Sequence, residues 1–245
     1  MAHAAQLRFI ERVRALFPDV FAGARVLEVG SLDINGSVRR FFTGCDYLGI
    51  DVGPGSGVDL VCQGQHFDAP DGSFDVVIST EALEHDPHWR ATFANMLRLC
   101  RPGGLLLMTC GGPGRPEHGT TRVDAYVSPL TIGLGWDHYR NLRPADLRAA
   151  VGLRNWLAPF AIIVNWASCD LYCVGFRRGA PLPAHAAAKL LRLRLAYAAE
   201  FASSGTAVKN RALIALLGER HYRTPAVLVP AAWRKAYRRW ISRRA

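Results

Sequence analysis

The sequence has no run of about 20 apolar residues, so no stretch of it reads as a helix able to cross a membrane. Its opening, MAHAAQLRFIERVRALF, lacks the unbroken apolar stretch and small-residue cleavage site of a secretory signal. Glu11 and the absence of serine also argue against a transit peptide, so a cytoplasmic protein is expected. The six cysteines, at 45, 62, 100, 110, 169 and 173, form no CxxC pair, which removes the usual redox and zinc motifs. They are expected as small buried hydrophobes, with Cys169 and Cys173 on one strand face. Acids nearly vanish towards the C-terminus: residues 177–245 hold 2 Asp/Glu against 15 Lys/Arg, whereas 1–176 hold 18 against 15. The formal net charge of +10 therefore belongs to the last third, and no RNA-recognition signature accompanies it.

What is present is an α/β pattern. Half of the 245 residues are hydrophobic, enough for one α/β domain with an appendage. In ARVLEVGSLDING (24–36), Arg25–Val29 is a β-branched apolar run that predicts a buried parallel strand turning sharply at Gly30. VRRFF, after Gly36 and Ser37, fits a first crossover helix, and YLGID (47–51) a second strand ending in Asp51. An acid about 20 residues past such a turn, at the next strand tip, can accept from both hydroxyls of a ribose. The dinucleotide fingerprint G-x-G-x-x-G needs glycine where Leu32 and Asn35 stand, and Asp33 would repel a pyrophosphate. A nucleoside ligand with no phosphate, an ammonium group and a sulfonium suits the Glu28, Gly30, Ser31 and Asp33 turn better. S-adenosylmethionine is such a ligand.

Further along, residues 5–17 have helical spacing stopped by Pro18. VDLVC (58–62) reads as a third strand after a shortened crossover, and PDGSFDVVIST (70–80) as a turn and a fourth strand. A helix with Trp89, Phe93, Met96, Leu97 and Cys100 on its inner face is closed by RPGG, and LLLMTC (105–110) is a fifth strand. Residues 111–142 form a loop long enough to be functional; Arg122, Trp136, His138, Tyr139, Arg140 and Asn141 make it a candidate acceptor lid. Residues 158–178 predict two antiparallel strands, and the core is expected to close by Arg178. Residues 179–245 then read as a basic helical extension. Leu190, Leu193, Tyr197 and Phe201 share one helical face there, and Trp233, Tyr237 and Trp240 another, ringed by Arg234, Lys235, Arg238 and Arg239. Such a face suits an anionic membrane surface as well as packing on the protein itself.

LEVG, Asp51, FDVVISTEALEH and LRLCRPGGLLLMT stand in the order and spacing of class I S-adenosylmethionine-dependent methyltransferases, and the chain resembles the methyltransferase type 11 subfamily over about residues 24–178. The resemblance implies a Rossmann-like, seven-stranded, mostly parallel doubly wound sheet over 1–178. It implies S-adenosylmethionine as cofactor, with Glu28 and Gly30 flanking the methionyl end and Asp51 on the ribose. Gln65 and His66, within Gly64–Phe67, would border the adenine, and Thr80 and Glu81 would lie beside the cofactor. SLDIN stands where the family loop commonly carries its later glycines.

A hydroxyl acceptor must lose its proton, and His85 at the fourth strand's tip and His118 in the lid are the candidate bases, His85 the favoured one. The run Glu84-His85-Asp86 is too short a signal to assign an ion, and no metal is assigned. Hydrogen-bonding and stacking groups in the lid favour O-methylation of a sugar, glycan or glycosylated natural product. The alternatives are an RNA methyltransferase, favoured by charge alone, an NAD-dependent oxidoreductase or epimerase, and a non-catalytic cofactor-binding adaptor. Nucleic acid is the less favoured partner; peripheral contact with an anionic membrane is the more favoured.

Overall fold

Seven apolar runs, interrupted by turns, pair into one sheet. In the computed structural model they are β1 (Arg25–Val29), β2 (Asp46–Asp51), β3 (Leu60–Val61), β4 (Phe74–Thr80), β5 (Cys100–Gly111), β6 (Leu157–Asn165) and β7 (Asp170–Arg177), in the order β3-β2-β1-β4-β5-β7-β6. Residues 3–34 and 36–228 are described, the side chains of Leu217 and 219–228 excepted; Trp233, Tyr237, Trp240 and the basic residues around them lie outside this range. The first five strands run parallel, and β7 alone runs against both of its neighbours. All parallel strands therefore end on one edge, and β7 starts there.

Helices cover both faces, as strands buried on both sides require. On one face α2 (Trp89–Leu99) and α4 (Pro144–Val151) pack on Leu27, Ile50, Val77, Leu106 and Met108. On the other, α1 (Ala4–Leu16) and α6 (Ala186–Ser203) pack on Val26, Val76, Ile78, Leu107 and Val174. The short helices α3 (Pro129–Gly133) and α5 (Leu153–Trp156) lie in the connections, and α7 (Gly205–Leu228), interrupted at Gly218, follows α6.

Four expectations change. VRRFF forms only a single 3₁₀ turn, Val38–Phe41, because Gly36 and Gly44 bracket too few residues for a helix; α1, arriving from upstream, covers that part of the sheet with Phe9, Ile10 and Val13. The core does not close at Arg178, because Ala186, Leu190, Leu193 and Tyr197 of α6 are buried in the same apolar cluster as the sheet. Each of the larger of these side chains contributes about 1.5–3 kcal/mol by burial, so the helix is part of the fold's support. Cys169 sits in the β6–β7 turn with positive φ and not on a strand face with Cys173, and the six cysteines form no disulfide. The third strand is shorter than expected, two residues on an exposed edge. No helix among the described residues is long and apolar enough to cross a membrane.

Candidate active site

At the carboxyl edge of the parallel strands lies an open cleft. One wall is made by strand tips. β1 ends at Gly30, whose φ of +82° turns the chain against Ala82; a Cβ there would lie 2.3 Å from the Ala82 Cβ, so only glycine fits. β2 ends at Asp51, whose Oδ2 accepts from the Leu32 amide (2.9 Å) and Oδ1 from the Val52 amide (2.7 Å). These bonds fix the carboxylate on the cavity wall while each oxygen keeps a lone pair for a ligand. Burial raises its pKa, an effect the two amides oppose. Gln65, Glu81, His85 and Asp86 complete the polar part of this wall, between Leu32, Ile50 and Leu83.

The other wall is the lid. Val127, Ser128, Pro129, Leu130, Thr131 and Trp136 close the cavity from above, on the short turn of α3. Trp136 also meets the His88 ring, with centroids 5.4 Å apart. Arg122, expected against an acceptor, instead pairs with Glu117 (2.7 Å) and Asp137 (3.2 Å), and Thr121 donates to Asp137, so these charges tie the lid to itself. Gly119 docks the lid against His85: a Cβ on it would come within 2.7 Å of the His85 Cε1 and of the Ser128 Cβ.

Other expected positions are placed off the cavity. Glu28 is buried on the α1 side of β1, where its Oε2 accepts from the Tyr47 hydroxyl (2.8 Å); burial pushes its pKa up to about 7. Ser31 is buried against Gly49, and the Asp33 Oδ1 accepts from the Gly36 amide (2.7 Å), closing a local turn. His66 is exposed, with Cys62, Gly64 and Gln65 on the wall instead. Thr80 is buried one residue short of the wall. Of the six lid residues named as acceptor contacts, only Trp136 lines the cavity. Arg140 reaches Asp146 (2.9 Å), and Asn141 donates to the Arg115 carbonyl (2.9 Å). His138 and Tyr139 stand behind His85, the Tyr139 ring 5.4 Å from it.

The two candidate bases meet. The His85 and His118 ring centroids are 5.1 Å apart at 81°, and Tyr139 touches both rings. Burial drives the His85 pKa well below its ordinary value and lowers that of His118 to about 4, so both rings are neutral near pH 7. Behind them is a charge cluster not anticipated from the sequence. Arg115 lies 3.2 Å from the Asp170 Oδ1 and 3.9 Å from the Glu81 Oε2, and His3, the N-cap of α1, lies 3.1 Å from the Asp170 Oδ2. Burial raises the pKa of Glu81 and of its neighbour Glu84, whose Oε1 accepts from the Gly111 amide (2.8 Å). Residues 3, 115 and 170 are too far apart in sequence for spacing to reveal this grouping; β7's reversed direction is what brings Asp170 to the rim.

The sheet order and the glycine-turned cavity at its carboxyl edge define the Rossmann-like doubly wound fold. Residues 1–117, just under half of the chain, match the family model described as a methyltransferase domain. The phthiotriol/phenolphthiotriol dimycocerosates methyltransferase 1 of Mycobacterium ulcerans (strain Agy99) is 34% identical over 125 residues, covering 44% of this chain and 45% of that protein. The chain thus matches less than half the length of that curated relative. Among solved structures, the Burkholderia thailandensis 1,6-didemethyltoxoflavin-N1-methyltransferase is 13% identical with a TM-score of 0.47, covering 69% of this chain and 77% of that one. The Haemonchus contortus phosphoethanolamine N-methyltransferase 2 is also 13% identical, with a TM-score of 0.49, covering 70% and 52%.

Proposed function

We propose that this chain transfers the methyl group of S-adenosylmethionine to a hydroxyl of a sugar, glycan or glycosylated natural product. The observation that carries the cofactor assignment is Asp51, held on the cavity wall by the Leu32 and Val52 amides with lone pairs left for two ribose hydroxyls. Leu32, Ile50 and Leu83 give an apolar slot for the base, with Gln65 at its rim. Glu81, on the same wall, offers its carboxyl oxygens to the ammonium and sulfonium end. Methyl transfer is an in-line displacement, so alignment and exclusion of water under the lid account for most of the rate.

His85 is the group assigned to take the acceptor's proton, because it lines the cavity and its buried Nδ1 has no partner. Residues 111–142 serve as the acceptor lid, Trp136 offering a stacking face to a sugar ring. A relative named for phthiotriol and phenolphthiotriol dimycocerosates favours a hydroxyl-bearing lipid as the second acceptor class. The basic residues beyond 177 would then face an anionic membrane surface, each worth about 1 kcal/mol near it.

Calorimetry with S-adenosylmethionine, S-adenosylhomocysteine and NAD tests the cofactor. Binding of the first two and not the third is expected; binding of NAD alone overturns the reading in favour of an oxidoreductase. Mass spectrometry of sugar and lipid acceptors incubated with methyl-labelled cofactor then separates the two acceptor classes. His85→Ala is expected to lower turnover by about 10²–10⁴-fold at unchanged cofactor affinity; normal turnover in it and in His118→Ala would remove the histidine base.

A further inference from the structure

The geometry points to a divalent metal site of the zinc type formed by Glu84, His85 and His118, where the β4 tip meets the lid. One ligand-type atom from each of these residues lies within 4.8 Å of the other two. Around a zinc ion with bonds of about 2.0–2.2 Å, such atoms sit roughly 3.4 Å apart, so a shift of about an ångström or so closes the set.

Two of the three side chains already have their other polar atom held by backbone. The Pro116 carbonyl can only accept, so the His118 Nδ1 (3.0 Å) carries the proton, which leaves Nε2 with its lone pair. The His85 Nδ1 is buried and has no partner. The Gly111 amide takes the Glu84 Oε1, and Oε2 has no partner although Glu84 is fully buried. Two buried acceptor atoms without partners, the Glu84 Oε2 and the His85 Nδ1, are costly, and a cation bound by this cluster relieves that cost. A histidine whose far nitrogen donates to a carbonyl is the arrangement metal-bound imidazoles take. Two imidazoles and one carboxylate form a set that suits zinc, iron or cobalt and leaves coordination positions open. His85 lines the cavity, so those positions face the acceptor.

The neighbouring group, His3, Glu81 and Asp170, has similar spacing, but the Arg115 guanidinium already stands among it, 3.2 Å from Asp170 and 3.3 Å from the His3 Nε2. That cluster holds its cation covalently. The metal site itself does not rest on the methyl-transfer reading; its proposed consequence, a hydroxyl acceptor bound directly to the ion, does. The same His85 lone pair either accepts a proton or binds the ion, so the histidine base describes the metal-free protein.

The test uses the full chain, freed of any purification tag and dialysed against chelator. Calorimetry with Zn²⁺ and Mg²⁺, and the visible absorption of added Co²⁺, are followed in the wild type, Glu84→Gln, His118→Ala and His3→Ala, with S-adenosylhomocysteine binding measured in parallel. One equivalent of Zn²⁺ or Co²⁺ is expected, with no competition from Mg²⁺ and a tetrahedral or five-coordinate cobalt spectrum. Affinity is expected to fall by well over the 10–100-fold typical of outer-shell losses in Glu84→Gln and His118→Ala, and to hold in His3→Ala. If Glu84→Gln fails to fold by circular dichroism, His118→Ala and the wild-type cobalt spectrum decide. No binding at 100-fold over protein, unchanged affinity in the folded ligand variants, or loss in His3→Ala overturns the site. Metal binding without S-adenosylhomocysteine binding sinks the methyltransferase reading and leaves the metal site standing; the reverse sinks only the metal site.

Discussion

The two walls of the cavity are held by different physics. The strand-tip wall, with Gly30, Asp51 and His85, follows from sheet register, backbone amides and burial, and its parts can move only if the parallel strands do. The lid wall is held by half-exposed ion pairs, Arg122 with Glu117 and Asp137, and by the contact of Gly119 with His85. Exposed pairs of this kind contribute about 0–1 kcal/mol each. The strand-tip wall is therefore preorganised, while the lid wall is held by weaker contacts.

The largest expected effect tests the fixed wall. On the proposed reading, Asp51→Ala removes two charge-assisted hydrogen bonds to the ribose, worth about 1.5–3 kcal/mol each, so cofactor affinity should fall by roughly 10²–10⁴-fold with the fold intact. Unchanged calorimetric affinity would mean that this wall does not hold the cofactor. Next is Gly30→Ala, which meets both the positive φ and the overlap with Ala82, at a combined cost of about 2–5 kcal/mol in urea unfolding. Adding Ala82→Gly should return the overlap part and leave the backbone strain.

Glu28 sits just below the same wall, and its pKa of about 7 in the fold exceeds the ordinary carboxylate value of 4.5. The folded state therefore binds more protons than the unfolded chain between those values, and stability falls as pH rises through that window, by about 3 kcal/mol in all. Glu28→Gln should flatten this slope between pH 4.5 and 8 in thermal melts. An unchanged slope would show that Glu28 is ionised throughout. The smallest effect tests the lid: Arg122→Ala should cost under about 1 kcal/mol and leave cofactor affinity unchanged. A cost as large as that of Gly30→Ala would erase the contrast between the walls.

The strand-tip wall was the legible one. A β-branched run ending in glycine and a second ending in Asp51 are local patterns, and local patterns determine where parallel strands stop. The face of α6 was also legible from Leu190, Leu193 and Tyr197, but its docking partner was not, because periodicity marks a buried side without saying against what. The missing crossover helix had the same cause: α1's apolar stripe was visible, its place over the first crossover was not. In the lid, reading polar residues as ligand contacts misplaced Arg122, Arg140 and Asn141, since charges on one loop find each other before they find a ligand. The apolar lining, Val127, Pro129 and Leu130, carried a faint signal in Ser128-Pro129, a helix start inside a long loop.

Gly119 turns the lid's docking into a matter of timing. With no side chain there, the lid can seat flush on His85; one added methyl group, as in Gly119→Ala, would come within 2.7 Å of the His85 Cε1 and the Ser128 Cβ and add strain at a φ of +65°. Opening would then be faster and seating rarer. Lid motions of this kind run on the microsecond to millisecond scale and often limit product release. In the Gly119→Ala protein, relaxation-dispersion NMR should report a larger open population and, on the proposed reading, rapid-quench kinetics a smaller burst.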